Sequence, residues 1–133
     1  MSNPESNHAA WMAKGDHDLL NIENNIAASD VPWDTVCFHA QQAAEKFLKA
    51  FLVSRGQLPP RTHDLVALLA DCAEADAGLA GLEADCRTLT YYSVSARYPG
   101  DLFEPTEAEA RRMVEIAQRV RKEIQQRMPQ ANP

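Results

Sequence analysis

Apolar residues recur along this chain at three- and four-residue intervals, the period of a helix with one buried face. Trp11, Leu19, Ile22 and Ile26 predict a first helix over about residues 9–28, which Ser29-Asp30-Val31-Pro32 breaks. A second, longer helix is predicted over residues 33–55. There Val36, Ala40, Ala43, Phe47 and Phe51 fall on one side and form the core stripe. Gly56 and Pro59-Pro60 end it. Thr62 and Asp64 are competent caps for a third helix that buries Leu65, Leu68, Leu69 and Cys72. Gly78 and Gly81 predict a loose connection to a fourth helix over about residues 82–95. Thr106-Glu107-Ala108-Glu109 is a capping box opening a fifth, which carries Met113, Ile116, Ala117, Val120 and Ile124 to about residue 128. β-favouring residues gather at Tyr91-Tyr92-Ser93-Val94, but no strand–turn–strand pattern surrounds them. The expectation is an all-α protein, an antiparallel up-and-down bundle of four to five helices over residues 9–128. Residues 1–8 and 129–133 are expected to be disordered ends.

The second helix is apolar on more than one side. Such a helix is either sandwiched in a core or shared with another chain. Phe38 and Leu52 lie opposite the core stripe, beside Gln41 and Glu45. These four residues are the candidate seam of a homodimer, with packing within one chain as the alternative.

Composition narrows the picture. A chain of 133 residues makes one domain. The 13 basic and 19 acidic residues leave a net charge of -6, which disfavours RNA held by charge alone. Cys37, Cys72 and Cys86 form no C-x-x-C pair and read as small buried hydrophobes in a reducing compartment. Neither a membrane-length apolar run nor a signal-peptide core is present, so a cytoplasmic protein is expected, away from membranes. Asp16-His17-Asp18 splay around a helix and cannot converge on a metal; no metal site or cofactor is expected.

Three clusters could carry chemistry. His39, Gln42, Lys46 and Lys49 share one edge of the second helix, where their stems can pack while their ends hold a phosphate. Arg61, Thr62, His63 and Asp64 enter the third helix and offer a forked phosphate donor, although Asp64 can simply cap. Arg97-Tyr98-Pro99, preceded by Tyr91 and Tyr92, places a guanidinium beside rings that could stack on a base. Each cluster also has a purely structural reading.

Three islands set a family resemblance: the run from His39-Ala40-Gln41-Gln42 to Ala44-Glu45-Lys46, then Arg61-Thr62-His63-Asp64-Leu65, then Ala96-Arg97-Tyr98-Pro99. In order and spacing they resemble the HEPN family of small helical domains. The resemblance implies an antiparallel helical bundle that commonly dimerises. Many members are encoded beside a minimal nucleotidyltransferase as toxin–antitoxin pairs. Some are metal-independent ribonucleases, and some have been proposed to bind nucleotides. The ribonuclease branch uses an Arg, four to six residues, then a His. Here His63 follows Arg55 after seven residues, Arg61 is separated from His63 by one, and no His follows Arg97. Ribonuclease activity is therefore not carried over.

The preferred expectation is a non-catalytic module binding a nucleotide or another anion, dimeric and working with a nucleotidyltransferase partner. Lys46, Lys49, Arg61, His63, Arg97 and Tyr98 are its candidate ligand-binding residues. One alternative is a metal-independent ribonuclease with an unorthodox site of Arg61, His63 and Arg97. Another is a protein-interaction scaffold with no small ligand.

Overall fold

The computed structural model describes residues 3–95 and 104–129. They form α1 (His8–Ile26), α2 (Trp33–Ser54), α3 (Leu65–Ala75), α4 (Glu83–Ser95) and α5 (Glu107–Gln125), with short 3-10 helices at Pro4–Ser6 and Ala77–Leu82. No strand occurs among the described residues. The all-α bundle expected from the periodicity is the fold.

α2 is the hub of the bundle. It packs against α1, α3, α4 and α5, so it has no free side. Val36, Ala40, Ala43, Phe47 and Phe51 are fully buried, as the stripe predicts. Leu52 on the opposite side is 1% exposed, Gln41 2% and Glu45 4%. The proposed dimer seam is corrected on this point: three of its four residues are covered by their own chain. Phe38 is half-buried, with its ring edge-to-face to His39. The sandwiched-helix alternative describes α2.

α1 and α2 form an antiparallel hairpin across residues 27–32. Lys49 reaches the ring of Trp11, and Lys46 reaches Asp18, in reversed order along the two helices. Between these contacts Gly15 sits against Phe47; a Cβ built there would strike the Phe47 ring. α4 and α5 also run antiparallel, Tyr92 meeting Glu109 and Asp85 meeting Arg112 and Arg119. The capping box is formed: Glu109 N–H donates to Thr106 Oγ1 at 3.1 Å, and Thr106 N–H donates to the Glu109 carboxylate at 2.9 Å. These bonds, with one from the Tyr92 hydroxyl, hold the Glu109 carboxyl below its ordinary range. The cations of α5 and of the turn after it are mostly spent on structure. Arg121 holds Asp16, and Arg127 spans Asp76 and Glu123.

Two local expectations change. The connection at Gly78 and Gly81 is a compact 3-10 turn that buries Leu79 and Leu82. It is fixed because Asp76 accepts from Gly78 N–H and from Arg127. Residues 3–7, expected to be disordered, fold back onto α1. Asn3 caps the first turn, Asn7 caps α1, and the Trp11 indole N–H donates to the Glu5 carbonyl at 3.0 Å. Burial pushes the thiols of Cys37, Cys72 and Cys86 up to about 12, so none offers a thiolate near neutral pH. No described helix is long and apolar enough to cross a membrane.

Replacing Gly15 tests the α1–α2 contact. Helix propensity alone would make Gly15→Ala more stable by about 1 kcal/mol. Overpacking against Phe47 opposes this with about 1–3 kcal/mol. A lower urea midpoint with unchanged far-UV dichroism is expected; a higher midpoint would mean that the helices part at no cost.

Candidate functional site

α2 ends in a Schellman turn. Gln57 N–H donates to the Leu52 carbonyl and Gly56 N–H to that of Val53, with Gly56 at φ 78°. The chain then reverses through Leu58, Pro59 and Pro60 and passes back over the side of α2. There two α2 side chains, one turn apart, hold the residue before the α3 cap. The Gln41 amide donates to the His63 carbonyl at 3.0 Å, and its own oxygen is fixed by the Gln42 amide at 2.9 Å. Glu45 Oε1 lies 2.9 Å from His63 Nδ1. Its other oxygen, Oε2, accepts from Lys49 Nζ at 3.1 Å. The Glu45 and Lys49 side chains are only 5% and 8% exposed, whereas that of His63 is 78% exposed. A buried carboxylate therefore carries a surface imidazole.

A cleft of about 320 Å³ opens beside this clamp, lined by Trp11, Lys49, Pro60, Arg61, His63 and Glu5 among others. Arg61 is 91% exposed, and the nearest carboxylate to it, that of Glu5, is 3.8 Å away. At that distance and exposure the pair is weak, so the guanidinium can exchange Glu5 for another anion. Lys49 Nζ lies 5.6 Å from the centre of the Trp11 ring. A second cleft of about 430 Å³ adjoins the first, sharing Trp11 and Glu5, and Lys14 and Lys46 line it.

Lys46 is held in a similar way. Asp18, 8% exposed, accepts from Lys46 Nζ at 2.6 Å and meets His39 Nδ1 at 3.0 Å. Two buried carboxylates thus each take one His and one Lys, both lysines from the same edge of α2. Asp16 and Asp18 diverge, to Arg121 and to Lys46, with His17 exposed between them.

The candidate residues divide clearly. Lys49, Arg61 and His63 share one cleft, and Lys46 lines the next. Gln42 orients Gln41 and lines neither cleft. Thr62 and Asp64 are structural: the Thr62 hydroxyl accepts from Asp64 N–H, and Asp64 caps α3 through Val66 and Ala67. The Tyr92 hydroxyl donates to Glu109 at 2.6 Å, which raises it above the ordinary phenol range. Arg97 and Tyr98 lie outside the described residues, and so does any joint site of Arg61, His63 and Arg97.

Sequence reading missed Trp11, Asp18 and Glu45 as parts of the site. Two of them carried a signal. Asp18 falls on the α1 stripe between Trp11 and Ile22, and Glu45 lies seven residues from both Phe38 and Leu52. An acid in register with buried positions needs a cationic partner.

A HEPN domain model matches residues 8–127, nearly the whole chain. No curated protein and no solved structure gives a significant match.

The clamp predicts unequal effects on stability. Glu45→Ala strands Lys49 among buried groups and should lower the unfolding free energy by on the order of 3 kcal/mol. Arg61→Ala, at an exposed residue, should change it by less than about 0.5 kcal/mol. Equal urea midpoints for the two variants would contradict the clamp.

Proposed function

Because the chain belongs to the HEPN family, we propose that it is a non-catalytic binding module for a phosphate-bearing ligand of nucleotide type. The supporting observation is the meeting of Lys49, Arg61 and His63, from α2 and from the loop before α3, in one cleft walled by Trp11. A guanidinium and an ammonium give the donors that phosphate oxygens need. Arg61 is the principal phosphate donor because its ion pair with Glu5, at 3.8 Å and exposed to solvent, is weak. Lys49 is shared with Glu45 and contributes charge from the cleft wall. The indole gives a flat apolar surface suited to a base. Lys46 and Lys14, in the adjoining cleft, extend the positive rim.

In this reading two copies associate, and the module serves a minimal nucleotidyltransferase partner in a toxin–antitoxin arrangement. Family membership is what supports both features. Arg97 and Tyr98 complete the ligand set in the same reading.

A second reading is a metal-independent ribonuclease using Arg61 and His63. The Glu45–His63 contact favours it, since a carboxylate on Nδ1 leaves Nε2 able to exchange a proton with a reacting hydroxyl. Arg61 would then stabilise charge on the phosphate. The spacing of Arg55, Arg61 and His63 departs from the family's ribonuclease motif and places this reading second.

Calorimetric titration with AMP separates the readings. Saturable heat is expected, with affinity falling about tenfold in Arg61→Ala, the loss of one charge-assisted hydrogen bond. No heat with AMP or with inorganic phosphate would leave an interaction scaffold as the better account. Cleavage of labelled RNA by the native chain, absent in His63→Ala, would promote the ribonuclease.

A further inference from the structure

The Glu45 clamp determines which hydrogen bonds the cleft can offer. An ionised carboxylate only accepts, and an ammonium only donates. Glu45 Oε2 is taken by Lys49 Nζ, and Oε1 faces His63 Nδ1. In a neutral ring the proton therefore sits on Nδ1, and Nε2 is left with its lone pair. The Glu45 contact holds the ring by Nδ1. Its backbone carbonyl is held by Gln41, and Gln41 by Gln42, so the residue is gripped at both ends from α2. With the side chain 78% exposed on the wall of the cleft, Nε2 is the nitrogen open to a ligand.

Among its cleft neighbours this makes His63 distinctive. Arg61 and Lys49 can only donate, which suits phosphate oxygens. A neutral His63 with a free Nε2 suits the opposite: a ligand group that donates. Glu5 is the other acceptor on the cleft wall, but it is half exposed and drawn towards Arg61.

We propose that Glu45 is a positioning residue that fixes His63 as a hydrogen-bond acceptor, so that the cleft selects phosphate esters bearing a sugar hydroxyl over counterparts lacking it. This inference rests on the phosphate-binding reading above and names the specificity of that site. The ligand class is a sugar phosphate or ribonucleotide: phosphate on Arg61 and Lys49, a ribose hydroxyl on His63 Nε2.

Chemistry also says what Glu45→Gln does. The amide has one acceptor and two donors. Lys49 can only donate, so it claims the amide oxygen. The amide NH₂ then faces His63 Nδ1, which must become the acceptor, and the ring proton moves to Nε2. One near-isosteric change turns the open nitrogen from acceptor to donor.

Two measurements on the full chain test this. Long-range ¹H–¹⁵N spectra of the neutral imidazole rings should show the Nδ1–H tautomer in the native protein and the Nε2–H tautomer in Glu45→Gln. Calorimetry with AMP and with 2′,3′-dideoxy-AMP should show about a tenfold preference for AMP, the worth of one hydrogen bond in an open cleft. A sugar hydroxyl accepts as well as donates, so the Glu45→Gln ring can still meet it; the ratio is therefore read in His63→Phe, at an exposed position, where it should fall to near one while the dideoxy compound still binds.

An Nε2–H tautomer in the native chain overturns the inference whatever binds. Equal affinities for the two nucleotides overturn it too, with phosphate binding intact. Absence of binding by both nucleotides and by inorganic phosphate overturns the binding reading, and the inference with it.

Discussion

A carboxylate can leave water inside a protein only if its charge and its lone pairs are met there. Glu45 is 4% exposed at the middle of the longest helix, and three features follow from satisfying it. Lys49 is drawn down against the Trp11 ring to meet one oxygen. His63 is drawn in to meet the other, which fixes where the α2–α3 loop crosses the bundle. Arg61, two residues before His63, is then carried out to the rim above Lys49, where both line one cleft. The site is a by-product of neutralising one buried acid.

Asp18 repeats the solution on the neighbouring helix. It takes Lys46 and His39, and so pins α1 to α2 by charge where Gly15 and Phe47 already bring the backbones close. The α1–α2 contact is thus both the tightest packing in the bundle that a glycine permits and the scaffold of the cleft. Stability and binding draw on the same residues along one edge of α2. Exposed Arg61 stands apart from that overlap, which makes it the residue best suited to function without a structural duty.

Much of the fold was legible because helix period, caps and breakers agree. The Thr106 capping box, the Gly56 stop and the Asp64 cap all form as the sequence indicates. The second face of α2 was harder. Phe38, Gln41, Glu45 and Leu52 look alike whether they meet a partner chain or their own, since periodicity reports burial and not what does the burying. Leu52, Gln41 and Glu45 are buried by this chain. For the site, Lys49, Arg61 and His63 were identified one cluster at a time. The register of Glu45 with Phe38 and Leu52 marks it as buried, but does not show that it joins the three. Glu45 pairs with Lys49 at a spacing common to any exposed helix, and its contact to His63 spans eighteen residues and a double proline. Trp11 was equally hidden, because a Trp in a core stripe gives no sign that one side of it borders a cleft.

The central claim is that Glu45 gathers Lys49, Arg61 and His63 into one anion-binding cleft against Trp11. The most direct test is a ¹H–¹⁵N correlation spectrum of the labelled chain, followed as inorganic phosphate and then AMP are added. Saturable shifts are expected at the Trp11 indole, the Arg61 guanidinium and the backbone amides of Gln57, Leu58 and residues 61–64, with α5 silent. Shifts centred on α5, or none at all with either compound, would contradict it.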